Sequence, residues 1–164
     1  MTARTAFTSD EWNQLRSAPA ILAAGVSASD PSGLFGSLKE AAGGIKGMIE
    51  ALQAATGVEL AQELLADKRM PVMPDPKTLL GEGGREDQAA NFRRASFAQV
   101  QQAVSLLIAK ATPEEVEAYK GMLVTVATTA ANAAKEGGFL GFGGERVSAD
   151  EQGYLDELKG LLSL

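Results

Sequence analysis

A helix-opening pattern occurs twice in this chain and constrains the fold more than any other feature of the sequence. In the first copy Thr8 is followed three positions later by Glu11, and in the second Thr112 is followed by Glu115. Residues of these types at this spacing form a capping box, in which each side chain accepts a hydrogen bond from the backbone N–H of the other residue. Two such starts predict two helices of related sequence.

The similarity between the two copies continues into the segments that follow. In both, a helix rich in small residues ends at an acidic residue, Asp30 or Glu136, and a glycine- and phenylalanine-containing loop comes next. We expect an all-α helical bundle of about six helices. If the duplication is genuine, the halves 8–69 and 85–164 are related by a pseudo-twofold axis and joined by the Pro- and Gly-rich loop 70–84. At a constant offset of 104 positions, the identical residues are Thr8, Glu11, Ala23, Gly33 and Phe35 with Thr112, Glu115, Ala127, Gly137 and Phe139.

Apolar residues recur at helical spacing through most of the remaining chain. The pattern predicts a helix over 34–56, a short helix ending near Arg69, a long helix over 85–110 and a last helix that starts with a third capping box, from Ser148 to Glu151. Pro19 lacks a backbone donor, so we expect the first helix to kink or restart there. Glycines such as Gly47 weaken the second helix unless another helix approaches closely. The length of 164 residues fits one domain.

Composition and charge exclude several classes of function. The net charge of −6 disfavours nucleic acid and anionic membrane surfaces as partners. The chain has no cysteine and no histidine, which removes thiolate nucleophiles, thiol–zinc sites and any histidine base. No apolar run is long enough to span a bilayer, and the first residues show no signal peptide. We therefore expect a cytoplasmic protein with no membrane association.

Acidic residues beside the two glycine loops are the candidate metal ligands. Asp30 and Glu40 flank the first loop, and Glu136 and Glu151 lie beside the second. Without histidine or cysteine, such a site would select hard cations such as Ca²⁺ or Mg²⁺. The alternative is structural, since Glu151 favours a helix N-terminus and Glu136 can be solvated.

Two short segments resemble the tellurite-resistance TerB-like family. These are the alanine-rich run 130–138, which ends in Glu136-Gly137-Gly138, and the Ser-x-x-Glu opening at Ser148. The resemblance implies an all-helical fold with related halves and a metal-binding acidic surface, with Glu136 and Glu151 among its ligands. The C-terminal stretch is also similar to bacterial proteins of unknown function.

The second glycine loop carries three apolar side chains, Phe139, Leu140 and Phe142. The loop lacks the Gly-Lys-Ser/Thr ending of a phosphate-binding loop. Its apolar residues either pack into the bundle or remain exposed as a partner-binding site. We expect a non-enzymatic interaction or stress-associated protein that binds a protein partner or a second copy of itself and needs no cofactor. The alternatives are a divalent-cation-binding protein like the TerB-like family and, third, a metal-dependent hydrolase that uses the same carboxylates.

Overall fold

The structure of the protein, a computed structural model, describes residues 2–29, 38–54, 57–133 and 147–164, and all side chains among them except those of 27, 38–44 and 133. Over these ranges the chain forms a short 3-10 helix and seven α-helices, and it has no strand. The prediction of an all-α fold is confirmed. The elements in chain order are the 3-10 helix Arg4–Ala6, α1 (Ser9–Ser29), α2 (Leu38–Ala54), α3 (Glu59–Ala66), α4 (Pro76–Leu80), α5 (Arg85–Lys110), α6 (Pro113–Ala133) and α7 (Ala149–Leu162).

Helix α1 is central to the packing. It lies along α5 and α6, while α2 packs mainly on α6, and α7 contacts both α1 and α6. The short helices are peripheral, with α3 against α2 and α6 and α4 against α5. One apolar cluster joins the larger helices. Its most deeply buried members include Trp12, Leu15, Leu22 and Val26 of α1, Leu60 of α3, Val100 and Leu107 of α5, Leu123 of α6, and Tyr154 and Leu158 of α7.

The three predicted capping boxes are all present. The hydroxyl of Thr8 accepts from the N–H of Glu11 at 3.2 Å, and the carboxylate of Glu11 accepts from the N–H of Thr8 at 2.7 Å. The same pair of bonds joins Thr112 and Glu115 at 3.3 and 2.9 Å. The third box, at the start of α7, is described with the candidate site. Helices α1, α6 and α7 therefore each begin at the predicted capping box.

The two repeated helix starts lie side by side and exchange contacts. Lys110, just before the second start, bonds to the Glu11 carboxylate of the first start at 2.7 Å. Thr2, before the first start, donates from its N–H and hydroxyl to the Glu115 carboxylate at 2.8 and 2.5 Å. The two contacts come from positions that do not correspond at the offset of 104, since Lys110 aligns with Ala6 and Thr2 aligns with Leu106, so they do not bear on the pseudo-twofold axis. The duplication itself stays a prediction.

Helix α1 runs without a break through Pro19, so the predicted restart of the helix at this residue was wrong. The lost hydrogen bond is tolerated because the neighbouring Ala18 and Leu22 are fully buried against the other helices.

In α2 a Cβ on Gly47 would lie 2.7 Å from the Thr129 hydroxyl and 3.2 Å from the Thr125 carbonyl oxygen of α6. The predicted close helix approach is confirmed at Gly47.

The Pro- and Gly-rich loop 70–84 is only partly irregular. It contains α4, whose N-cap Asp75 accepts from the N–H of Lys77 at 3.0 Å with Pro76 in the first turn. The helix is held by Leu79, which is buried where α4 meets α5. Among the described residues, no helix combines the length and the apolar character needed to cross a membrane.

Candidate functional site

Most of the residues that the sequence singled out lie outside the described part of the structure. The backbone of Glu40 belongs to α2, but its side chain is not described. The roles assigned to these residues stay predictions. The residues wholly outside the described ranges are Asp30 and Glu136 of the metal hypothesis and Phe139, Leu140 and Phe142 of the partner-binding hypothesis.

Glu151 is the one predicted metal ligand with a described side chain. Its carboxylate is buried and accepts from the N–H and the hydroxyl of Ser148 at 2.9 and 3.0 Å, and its own N–H bonds to the Ser148 hydroxyl at 3.2 Å. These contacts form the capping box of α7. Across the described ranges, no three acidic side chains come close enough to hold a metal ion. Metal binding by Glu151 stays a prediction.

The structure contains a pocket of about 440 Å³ between α1, α2, the end of α3 and the loop that follows α3. This volume is within the range of small-molecule sites, and the walls are mainly apolar. Four of the five methionines of the chain line it: Met48 of α2, Met70 and Met73 of the loop, and Met122 of α6. Met70 is 84% exposed and Met73 is 45% exposed, so flexible apolar side chains stand in contact with solvent beside the pocket. We call this cavity the methionine pocket.

One stripe of helix α1 forms a long wall of the methionine pocket. Arg16, Pro19, Ala20, Ala23 and Ala24 recur at helical spacing on this wall. From Arg16 to Ala24 the helix advances about 12 Å. Small side chains along most of this length leave the space that the methionines border. Arg16 is therefore a charged group near one end of an otherwise apolar wall.

Asp67, directly after α3, organises the polar part of the pocket. Its carboxylate accepts from the side chain of Arg69 at 2.9 and 2.7 Å and from the indole N–H of Trp12 at 2.9 Å. Hydrogen bonds from Arg69, together with those from Trp12 and the charge of Arg16, outweigh burial and hold the pKa of Asp67 well below its usual range. Asp67 is therefore ionised at every physiological pH and ties the loop to α1.

Arg16 is a nearly buried cation with incomplete partners. Its side chain is 10% exposed, and its Nε lies 3.5 Å from the Asp67 carboxylate, which is beyond ordinary hydrogen-bond distance. Arg16 makes no hydrogen bond to any residue that the structure describes. The Asp67 charge is shared with Arg69, and Lys68 adds another cation to the lining. Among the described side chains, the pocket lining therefore has three basic groups and one acidic group, in a protein of net charge −6.

The loop wall is fastened to α1 at a second point. Asn13 donates from its side-chain amide to the Val72 carbonyl oxygen at 2.9 Å and accepts from the Val72 N–H at 2.7 Å. This pair of bonds holds the backbone between Met70 and Met73 beside the helix. The methionine pocket is thus bordered by a loop that is fixed at Asp67 and at Val72.

The methionine pocket was not predicted from the sequence, in which loop 70–84 was expected only to be a Pro- and Gly-rich connection between the two halves. The available signal was that a polar, Pro-rich stretch carries Met70, Val72 and Met73 close together, three apolar side chains with no helical or strand periodicity to bury them. The partners of these residues on α1 and α2 are distant in sequence, so the pocket required the tertiary structure.

No known family model, curated protein or solved structure matches this chain. The resemblance to the TerB-like family stays a prediction.

Proposed function

We propose that this protein is a non-enzymatic binding protein that holds an apolar guest in the methionine pocket. The observation that carries the proposal is the gathering of four of the five methionines around one cavity of about 440 Å³. Methionine side chains are unbranched and polarizable, so they adapt to guests of different shape.

The exposed apolar side chains support the same function. Met70, Val72 and Met73 are exposed in one short loop, and Ile45 of α2 is half-exposed on the pocket lining. Exposed apolar side chains that are grouped around a cavity are typical of a binding site. The polar residues that the structure describes on the lining are Arg16, Asp67, Lys68 and Arg69, and these offer charge but no nucleophile paired with a base. The proposal is therefore one of binding rather than of catalysis.

A fluorescent dye tests this function directly. A neutral dye whose emission rises in apolar surroundings should bind the native protein saturably with one site. Ala24 lines the pocket and is exposed, so Ala24→Trp fills the cavity with little effect on the core. The matched control is Ala98→Trp at an exposed position of α5 outside the pocket.

We expect Ala24→Trp to abolish the saturable binding and Ala98→Trp to leave it unchanged, with both variants keeping the circular dichroism spectrum of the native protein. Equal dye binding in the two variants would contradict the proposal. A native protein that shows no saturable binding would contradict it as well.

A further inference from the structure

We propose that the guest is a single-chain anionic amphiphile, an alkyl carboxylate whose head contacts Arg16 and whose tail lies along the methionines. This inference rests on the proposed function and specifies the chemistry of its ligand. The observations behind it are the position of Arg16, the charge of the lining and the shape of the apolar wall.

The Arg16 guanidinium has too few acceptors among the described residues. Arg16 is nine-tenths buried, lines the cavity and makes no hydrogen bond within the described residues, although its guanidinium has five N–H donors. Within the described ranges its one ionic partner is Asp67, 3.5 Å away, whose oxygens already accept from Arg69 and Trp12. A carboxylate is the group that matches a planar guanidinium fork, and it would supply the missing acceptors.

The local charge of the cavity also favours an anion. Among the residues that the structure describes, the charged side chains on the lining are Arg16, Lys68, Arg69 and one carboxylate, Asp67. The remaining net charge attracts an anion and repels a cation, and the low-dielectric apolar walls strengthen both effects. A neutral apolar guest can fill the cavity, but it supplies no new acceptor for the Arg16 guanidinium.

The shape of the apolar wall also fits the alkyl tail of this guest. The wall of α1 from Pro19 to Ala24 carries only small or apolar side chains, and Met48 and Leu52 of α2 also line the cavity. The wall is about 12 Å long from Arg16 to Ala24, and its apolar part from Pro19 onward is about 7.5 Å long, so it can hold an extended alkyl chain with the charged head near Arg16. The adaptable methionines can follow such a chain closely.

The test uses the full-length protein and compares ligands that share one tail. Dodecanoate, dodecanol and dodecyltrimethylammonium are titrated below their micelle concentrations by calorimetry and by the fluorescence of Trp12. Trp12 is the only tryptophan and is bonded to Asp67 of the pocket, so it reports on a head group bound nearby. We expect dodecanoate to bind at least about tenfold more tightly than dodecanol, because it adds charge-assisted hydrogen bonds. Dodecyltrimethylammonium should bind most weakly.

Two further measurements locate the head and the tail. Shortening the tail to decanoate should weaken binding by about fourfold for each methylene removed. Arg16→Met should lower the affinity for dodecanoate by about tenfold or more and leave that for dodecanol unchanged, while Arg16→Lys keeps the charge and retains part of the affinity. The matched control is Arg94→Met, which removes an exposed arginine outside the pocket.

The outcomes separate this inference from the proposed function. Equal affinity for dodecanoate and dodecanol, with no effect of Arg16→Met, would overturn the carboxylate assignment and leave an apolar binding site. Displacement of the neutral dye by an acidic amphipathic leucine–glutamate peptide but not by dodecanoate would overturn it in favour of a helical guest. Failure of every ligand, dye and peptide would overturn both proposals. If Arg16→Met does not fold, the comparison of the three head groups on the native protein still decides.

Discussion

The capping box at the start of α6 provides the sharpest quantitative prediction, which concerns Glu115. Its side chain is 3% exposed, and three donors converge on its carboxylate: the N–H and hydroxyl of Thr2 and the N–H of Thr112. Burial alone would raise the pKa of Glu115, but these hydrogen bonds outweigh it and lower the pKa from 4.5 to about 2. The folded protein therefore prefers the ionised form.

The size of the effect follows from this pKa. At about 1.4 kcal/mol for each tenfold change in proton affinity, the folded state favours the ionised carboxylate by about 3 kcal/mol. Solvent screening at a helix end reduces this value, so we expect Glu115→Gln to lower the free energy of unfolding by about 2 kcal/mol at neutral pH. The amide keeps the shape of the side chain, but its NH₂ group must face at least one of the N–H donors that now bond to Glu115.

The pH dependence has a definite sign. A carboxylate whose pKa is depressed by folding contributes its full stabilisation above its unfolded pKa and loses it as the pH falls through the folded value. For Glu115 this window extends from 4.5 down to about 2. The difference in unfolding free energy between the native protein and Glu115→Gln should therefore be largest at neutral pH and disappear across this range.

The assay is urea unfolding followed by Trp12 fluorescence and circular dichroism at a series of pH values. Glu11→Gln is the matched control, because Glu11 occupies the same place in the first capping box but is more exposed and pairs with Lys110. We expect a smaller loss of stability for the control. A change below about 0.5 kcal/mol for Glu115→Gln at neutral pH, or a difference that stays constant as the pH falls, would refute the reasoning.

Two further predictions concern the packing of α1 and the loop wall of the pocket. Gly25→Ala would place a methyl group against the Tyr154 hydroxyl and 2.8 Å from the Ser96 hydroxyl. These two hydroxyls are joined by a buried hydrogen bond of 2.6 Å. We therefore expect the free energy of unfolding to fall by about 1–2 kcal/mol in the urea assay. The control is Gly121→Ala in α6, where the added methyl group would meet open space, so this change should raise the free energy of unfolding by about 0.5–1 kcal/mol. Equal effects of the two changes would contradict the steric explanation. Asn13→Ala removes both hydrogen bonds to Val72, so the backbone amide hydrogen of Val72 should exchange with solvent faster. The global free energy of unfolding should change by less than about 1 kcal/mol. Gln14→Ala, which loses a bond to Gln102 on α5, is the control, and unchanged exchange at Val72 in Asn13→Ala would show that the loop is held elsewhere.

The elements that the sequence predicted best are those whose cause is local. Helix α5 has the predicted bounds, and α6 and α7 begin at capping residues that are three positions apart in sequence. A capping box depends only on two side chains and their own backbone, so its signal is complete within four residues. The continuity of α1 through Pro19 was missed because it depends on packing against α5 and α6, which no local pattern contains.

The candidate site shows the opposite case. Arg16 follows the buried Leu15 on α1, and its sequence neighbours do not show that its guanidinium is enclosed by Asp67 and the loop after α3. The methionines that line the pocket come from three separate segments, α2, the loop and α6. Their convergence is a product of the tertiary fold, and composition alone records only that the chain has five of them.

Asp67 connects the stability of the fold to the proposed binding site. It accepts a hydrogen bond from Trp12, and the ring of Trp12 packs against Phe7, the residue just before the first capping box, with ring centroids 5.7 Å apart. The same carboxylate holds Arg69 and is the one ionic partner that Arg16 has in the described part of the chain. A guest carboxylate at Arg16 would relieve the competition of two guanidinium groups for one acidic side chain. Binding at the pocket should then strengthen the contacts that fasten the loop to α1, so the native protein should gain stability with the guest that satisfies Arg16 and gain less with a neutral one.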